Sequence, residues 1–263
     1  MSKELQDFIR EHVAIVEPIE KAFYLAYWNF TTTGEKVYEE EVTRLRVALR
    51  QVYAERTRFE QLTRLADGQP GGDPALVRQA TLLRNAFLGN QMDEETIAEL
   101  TRREVAIESI FNTFRAELRG KKATENDLKD ILRESDDQNL RRQAWEASKQ
   151  IGAQVARPLI ELVELRNDIA RKLGFENYYH MHLILQELDE AELFGIFDEL
   201  DRLVSPVYRS YKADVDAQLA ERFGLTPADL RPWHYSDPFF QEAPAADPAV
   251  YQFLVDTYAQ QDI

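Results

Sequence analysis

The stretch LQDFIREHVAIVEPIEKAFYLAYWNF, residues 5–30, decides the fold class. Within it Leu5, Phe8, Ile9, Val13, Val16, Ile19, Phe23, Tyr27 and Phe30 follow one another in steps of mostly three and four, which draws one apolar stripe along a helix. The stripe predicts a long amphipathic helix ending near Thr31-Thr32-Thr33-Gly34. Pro18 lies inside it and is expected to bend or split the helix, because proline lacks the backbone donor and crowds the preceding turn.

The same spacing recurs downstream. Val42, Leu45, Leu49, Val52, Phe59, Leu62 and Leu65 predict a second helix over 35–66. The glycines and prolines of residues 67–74 mark a loop, so the flanking helices should pair. Capping patterns mark further starts at Thr124-x-x-Asp127, Ser135-x-x-Gln138, Asp189-x-x-Glu192, Thr226-Pro227-x-Asp229 and Asp247-Pro248. A helix over 138–173 should stop at Gly174 and another over 193–223 at Gly224, with Pro206 kinking the second. No segment alternates as a strand does. The expectation is an all-α protein: an elongated bundle of long antiparallel helices, about nine or ten of them, with little or no sheet. Residues 1–263 read as one helical region, which allows a subdivision into a hairpin or lid over 1–66 and a helical body over 75–263.

Composition narrows the function. The 263 residues carry 32 Lys and Arg against 47 Asp and Glu, a formal net charge of −15, and such a surface repels nucleic-acid phosphates and anionic headgroups. Neither nucleic acid nor membrane is expected as a partner. The chain has no cysteine, which removes disulfides, thiolate metal sites and cysteine nucleophiles. The N-terminus lacks the basic and apolar regions of a secretory leader, so a cytoplasmic location is expected. Asn29-Phe30-Thr31 matches a glycosylation acceptor and is read as coincidence.

The four histidines, His12, His180, His182 and His234, form no His-Glu-x-x-His pattern, the arrangement that puts two imidazoles and a water-activating carboxylate on one helical face. His180 and His182 diverge on a helix. Glu176 and His180 share a helical face at i, i+4, and a structural hydrogen bond or salt link is the expected use. There is no Gly-x-Ser-x-Gly elbow or phosphate loop, and the acidic runs read as solvated faces. No catalytic residue and no metal ligand is assigned.

Two segments stand apart from the helical background. The first, Glu164 to Tyr179, is a basic helix end followed by a glycine cap and an aromatic cluster, which packing and the helix dipole explain. The second, Arg231-Pro232-Trp233-His234-Tyr235-Ser236-Asp237-Pro238-Phe239-Phe240-Gln241, reads either as a core plug or as the lining of a ligand cleft.

The run Arg166-Asn167-x-Ile169-Ala170-Arg171-x-Leu173-Gly174-Phe175-x-Asn177-Tyr178 resembles the N-terminal halves of zinc metallopeptidases of the angiotensin-converting enzyme and oligoendopeptidase (thimet oligopeptidase-like) families. The order of elements is similar as well: a lid-like helical region, this glycine-capped helix, a long helix, then an aromatic turn with a histidine. The resemblance covers the last hundred residues, and the first hundred by helical pattern alone. It implies that Gln241 helps hold a peptide's C-terminal carboxylate, that Phe239 stands at a neighbouring aromatic wall, and that His234 is a further substrate contact. It also implies zinc in the full-length enzyme, held by two histidines and a glutamate outside this chain, with no cofactor bound by the chain itself. The chain is then the N-terminal, channel-wall part of a peptidase acting on peptides. It is catalytically incomplete, and able to self-associate through a face that truncation exposes. The alternative is a non-enzymatic helical module that binds a partner protein. Val250, Tyr251, Leu254, Val255 and Tyr258 predict a last helix, whose end reads equally as a chain cut short or as a frayed natural terminus.

Overall fold

The computed structural model describes residues 2–67 and 73–235. The expected cap at Asp247-Pro248, the terminal helix after it, and Phe239 and Gln241 lie outside them. Among the described residues are ten α-helices, one two-stranded hairpin and two short 3₁₀ turns, and the all-α expectation holds. The chain divides into two compact units. Met1–Thr124 with Ala147–Tyr208 form the first, and Glu125–Glu146 with Arg209–Ile263 the second.

In the first unit, α1 (Ser2–Thr33) packs along α2 (Lys36–Ala54). Gly34, with φ of +70°, reverses the chain between them, and its N–H bonds the Phe30 carbonyl at 2.9 Å. Pro18 does not split α1. It is exposed on the helix surface, as is Ala14, the residue whose carbonyl would have taken the missing proline N–H.

The helix expected over 35–66 is instead two. Glu55 turns extended, and its carboxylate accepts from the N–H groups of Thr57 and Arg58 at 3.0 and 2.9 Å, which caps a new helix α3 (Arg56–Asp67). A side-chain cap thus breaks a hydrophobic period that continues across it. α4 (Pro74–Leu88) starts with Asp73 as cap and proline at its first position. α5 (Glu94–Thr113) starts with Asp93, which accepts from Thr96 N–H at 2.7 Å.

Three apolar clusters hold this unit. Leu5, Phe8, Leu62, Leu76, Ala80 and Phe87 join α1, α3 and α4. Ala26, Phe30, Val42, Leu45 and Val105 join α1, α2 and α5. The third, Leu100, Leu162 and Ile169, joins α5 to α8 (Gln150–Lys172).

The hairpin, β1 (Ala116–Leu118) and β2 (Lys121–Ala123), pairs Ala116 with Ala123 in antiparallel register. Arg119 and Gly120, with φ of 53° and 76°, supply the two positive angles of a type I′ turn. The Gln150 side chain clamps its edge, donating to the Glu117 carbonyl and accepting from the Glu117 N–H at 3.0 and 2.9 Å.

The helix expected over 138–173 is also two, α7 (Gln138–Ser148) and α8, interrupted at Lys149. Asp137 rather than Ser135 caps α7: its Oδ1 accepts from Asn139 and Leu140 N–H, while Ser135 Oγ accepts from Asp137 N–H. Before it lies α6 (Glu125–Glu134). α8 ends as expected at Gly174, at φ of +91°, with Phe175 N–H bonding the Ala170 carbonyl at 2.9 Å. α9 (Tyr178–Leu185) begins two residues after Glu176, so Glu176 and His180 do not share its face. α10 (Glu190–Phe223) runs unbroken through Pro206 from the Asp189 cap to Gly224 at φ of +63°.

Candidate functional site

In the first unit, charge is buried where α2, α5 and α8 meet. The Glu104 side chain is 7% exposed. Its Oε2 accepts from Arg50 at 2.8 Å and its Oε1 from Arg166 at 2.8 Å. Arg50 also donates to Thr101 Oγ1 at 2.8 Å, and Thr101 is fully buried. Arg46 grips Glu108 with both terminal nitrogens, at 2.9 and 3.2 Å. Three guanidinium groups therefore face two carboxylates, and one positive charge is left over within a strongly acidic chain. Buried ions persist only when paired and hydrogen-bonded in this way.

Arg166 continues the network toward α9. Its guanidinium lies 5.0 Å from the Tyr178 ring centre, and that ring sits 4.3 Å from His182. Asn167 fixes the start of α9 by accepting from Tyr178 N–H at 3.0 Å, and Asn177 caps it by accepting from His180 N–H. Beside these groups opens a cleft of about 330 Å³ lined by Arg50, Asn85, Asn90, Tyr178, Met181 and His182, among others. Burial, then the charge of Arg166, lowers the His182 pKa below the ordinary imidazole value. Burial raises that of Tyr178. The cleft thus presents a cation, a neutral imidazole and side-chain amides within apolar walls, which suits a small anionic or carbonyl-bearing group.

The second unit contains the described part of the aromatic turn. Arg141, fully buried on α7, donates to the carbonyls of Trp233, Ser135 and His234 at 2.8, 2.9 and 3.1 Å. Its guanidinium also lies 4.9 Å from the Phe223 ring centre. His234 is 2% exposed. Its Nδ1 accepts from Arg231 N–H at 2.8 Å, and its Nε2 faces Gln138 Oε1 at 3.4 Å. Burial first, then Arg141 and Arg231, keeps its pKa below the usual value. Trp233 meets Trp145 edge to face at 5.9 Å, and Tyr235 donates to Asp216 at 2.8 Å. In this described part the turn is a core plug built on one buried arginine.

Among the described residues no group of three or more His, Asp or Glu could hold a metal ion. No described helix is long and apolar enough to cross a membrane.

Arg50, Glu104 and His182 carry no local signal as a site. Arg50 and Glu104 lie far apart in the chain, each among charges that look like ordinary helix surface. Arg166, by contrast, lies in the resembling run, and its reach across to Glu104 is new.

The chain matches no curated protein. Residues 1–231, from α1 to the start of the aromatic turn, match the family model described as angiotensin-converting enzyme. The match covers most of the 263 residues, and the chain belongs to the angiotensin-converting enzyme family of peptidases.

Proposed function

We propose that these helices form the substrate-channel wall of a zinc-dependent peptidase acting on peptides, and that the chain as given does not carry out the cleavage itself. The family match over residues 1–231 carries the reading. The second support is chemical: the sequence holds no His-Glu-x-x-His, and the described residues hold no cluster fit for a metal.

In this reading the cleft beside Arg50 takes a polar end or carbonyl of the peptide, drawn by the surplus positive charge of the Arg50, Glu104 and Arg166 network. Gln241 and Phe239 are proposed as substrate contacts further along. His234 is proposed to act with them by holding the turn that leads there, since both its ring nitrogens face partners within the turn and α7. Self-association through exposed apolar positions of α8, such as Leu159, Ile160 and Val163, and a cytoplasmic setting belong to the same proposal.

The test is binding of a fluorescent hexapeptide by anisotropy, compared with the same peptide carrying a C-terminal amide. Loss of the carboxylate should weaken binding about tenfold. Equal affinities, or no binding of either peptide, would remove the channel-wall reading.

A further inference from the structure

The cleft beside Arg50 offers acceptors as well as a cation. Part of its lining is the C-terminal end of α4 and the two residues after it, which contribute Asn85, Gly89 and Asn90. Both asparagines spend their amide nitrogens inside the protein: Asn85 Nδ2 donates to the Leu185 carbonyl at 3.2 Å, and Asn90 Nδ2 to the Ala86 carbonyl at 2.9 Å. The amide oxygens are the atoms left over. Among the described residues neither oxygen has a hydrogen-bond partner, and neither is closed off from solvent. The same holds for both ring nitrogens of His182, which lines the same space.

Two opposite preferences therefore meet around one space. Arg50 on α2 belongs to the network with a surplus positive charge and favours an anion. The end of α4 favours a cation, because a helix C-terminus carries partial negative charge and the two free oxygens accept hydrogen bonds without donating any. Apolar side chains, Leu82, Met92, Ile169 and Met181 among them, fill much of the remaining lining. At about 330 Å³ the cleft lies at the lower end of the range for small-molecule sites.

We propose that this cleft binds a small apolar zwitterion, a free α-amino acid or a short unblocked peptide, with its carboxylate at Arg50, its ammonium at Asn85 Oδ1 and Asn90 Oδ1, and its side chain against Leu82, Met92 and Met181. The carboxylate half rests on the role proposed for Arg50, and the ammonium half is independent of it. An ammonium brings three donors to these acceptors, whereas a backbone N–H in the middle of a peptide brings one. Burial, then the charge of Arg166, holds the His182 pKa below its ordinary value, so the ring stays neutral beside the ammonium and does not repel it.

Calorimetric titration into the full chain separates the two halves. The probes are leucine and leucyl-leucine, each also as its N-acetylated and its C-terminally amidated form. In at least one series the unblocked molecule should bind about tenfold more tightly than either blocked form. Tighter binding of leucine assigns the site to a free amino acid, and tighter binding of leucyl-leucine to a short peptide. Asn90→Leu should weaken the unblocked and amidated forms about fivefold and leave the acetylated form unchanged. Asn90→Asp, which keeps an oxygen and adds a negative charge, should tighten the amidated form instead. If circular dichroism shows Asn90→Leu unfolded, the probe ranking and Asn90→Asp decide the question alone. Equal binding of the acetylated and unblocked forms, or unchanged binding of the amidated form in Asn90→Asp, would overturn the proposal and leave the carboxylate reading of Arg50 standing. Equal binding of the amidated and unblocked forms, or no binding of either unblocked probe, would overturn both.

Discussion

Glu104 and Arg166, 62 positions apart, meet at 2.8 Å between Oε1 and a guanidinium nitrogen, and this pair ties α5 to α8 beneath the cleft. Because Glu104 also receives Arg50, its loss leaves two half-buried cations facing each other without the buried carboxylate between them. Glu104→Gln should lower the unfolding free energy by about 3 kcal/mol. Chemical denaturation at neutral pH measures this, and an unchanged midpoint would show the network to be energetically idle.

Arg141 should matter as much in the second unit. Arg141→Met keeps much of the side-chain bulk but removes the donors to three carbonyls, leaving buried acceptors unsatisfied at a cost of about 3 kcal/mol. The turn should loosen with it, and tryptophan emission should shift because Trp233 and Trp145 are in ring contact. Wild-type emission and stability in this variant would contradict the plug.

At Gly174 the prediction is smaller and purely conformational. A β-carbon built there meets nothing within 4 Å, while φ is +91°. Gly174→Ala should therefore cost about 1 kcal/mol through backbone strain alone. A cost several times larger would mean that the helix end is packed in a way the structure does not show.

Acid should act through His12. Its pKa is about 4 in the folded chain against an ordinary value of 6.5, so between those values the unfolded chain binds the extra proton. The stabilising difference is present above pH 6.5 and is lost as pH falls toward 4. Wild type should lose about 2 kcal/mol relative to His12→Leu between pH 7 and pH 5. Urea denaturation of both proteins at the two pH values measures the difference, and parallel pH profiles would show that His12 is already protonated or solvated.

The helices were legible because their stripes and glycine caps are local features: Leu5 through Phe30, Gly174 and Gly224 each act within a turn or two of themselves. Where one hydrophobic period ran on without a break, the boundary was not legible. Glu55 divides 35–66 by bonding two backbone N–H groups with its own carboxylate, and a glutamate inside a charged helix gives no sign of doing so. The hairpin was hidden for a similar reason, since its strands are three residues each and its turn rests on Arg119 accepting a positive φ. The buried network was hidden by distance. Arg50, Glu104 and Arg166 each sit among charges that read as solvated helix faces, and only tertiary packing shows that these three turn inward. The reverse holds for His234: its aromatic, proline-bounded surroundings marked it, and the plug reading of that turn fits its described part.

The central claim is that this chain supplies a peptide channel wall but not the zinc chemistry. Its most direct test is hydrolysis of quenched fluorescent peptides by the purified chain after incubation with zinc, with bound metal measured on the same sample. The account predicts no turnover above a denatured control and no tight stoichiometric zinc. One equivalent of tightly bound zinc together with peptide cleavage would contradict it.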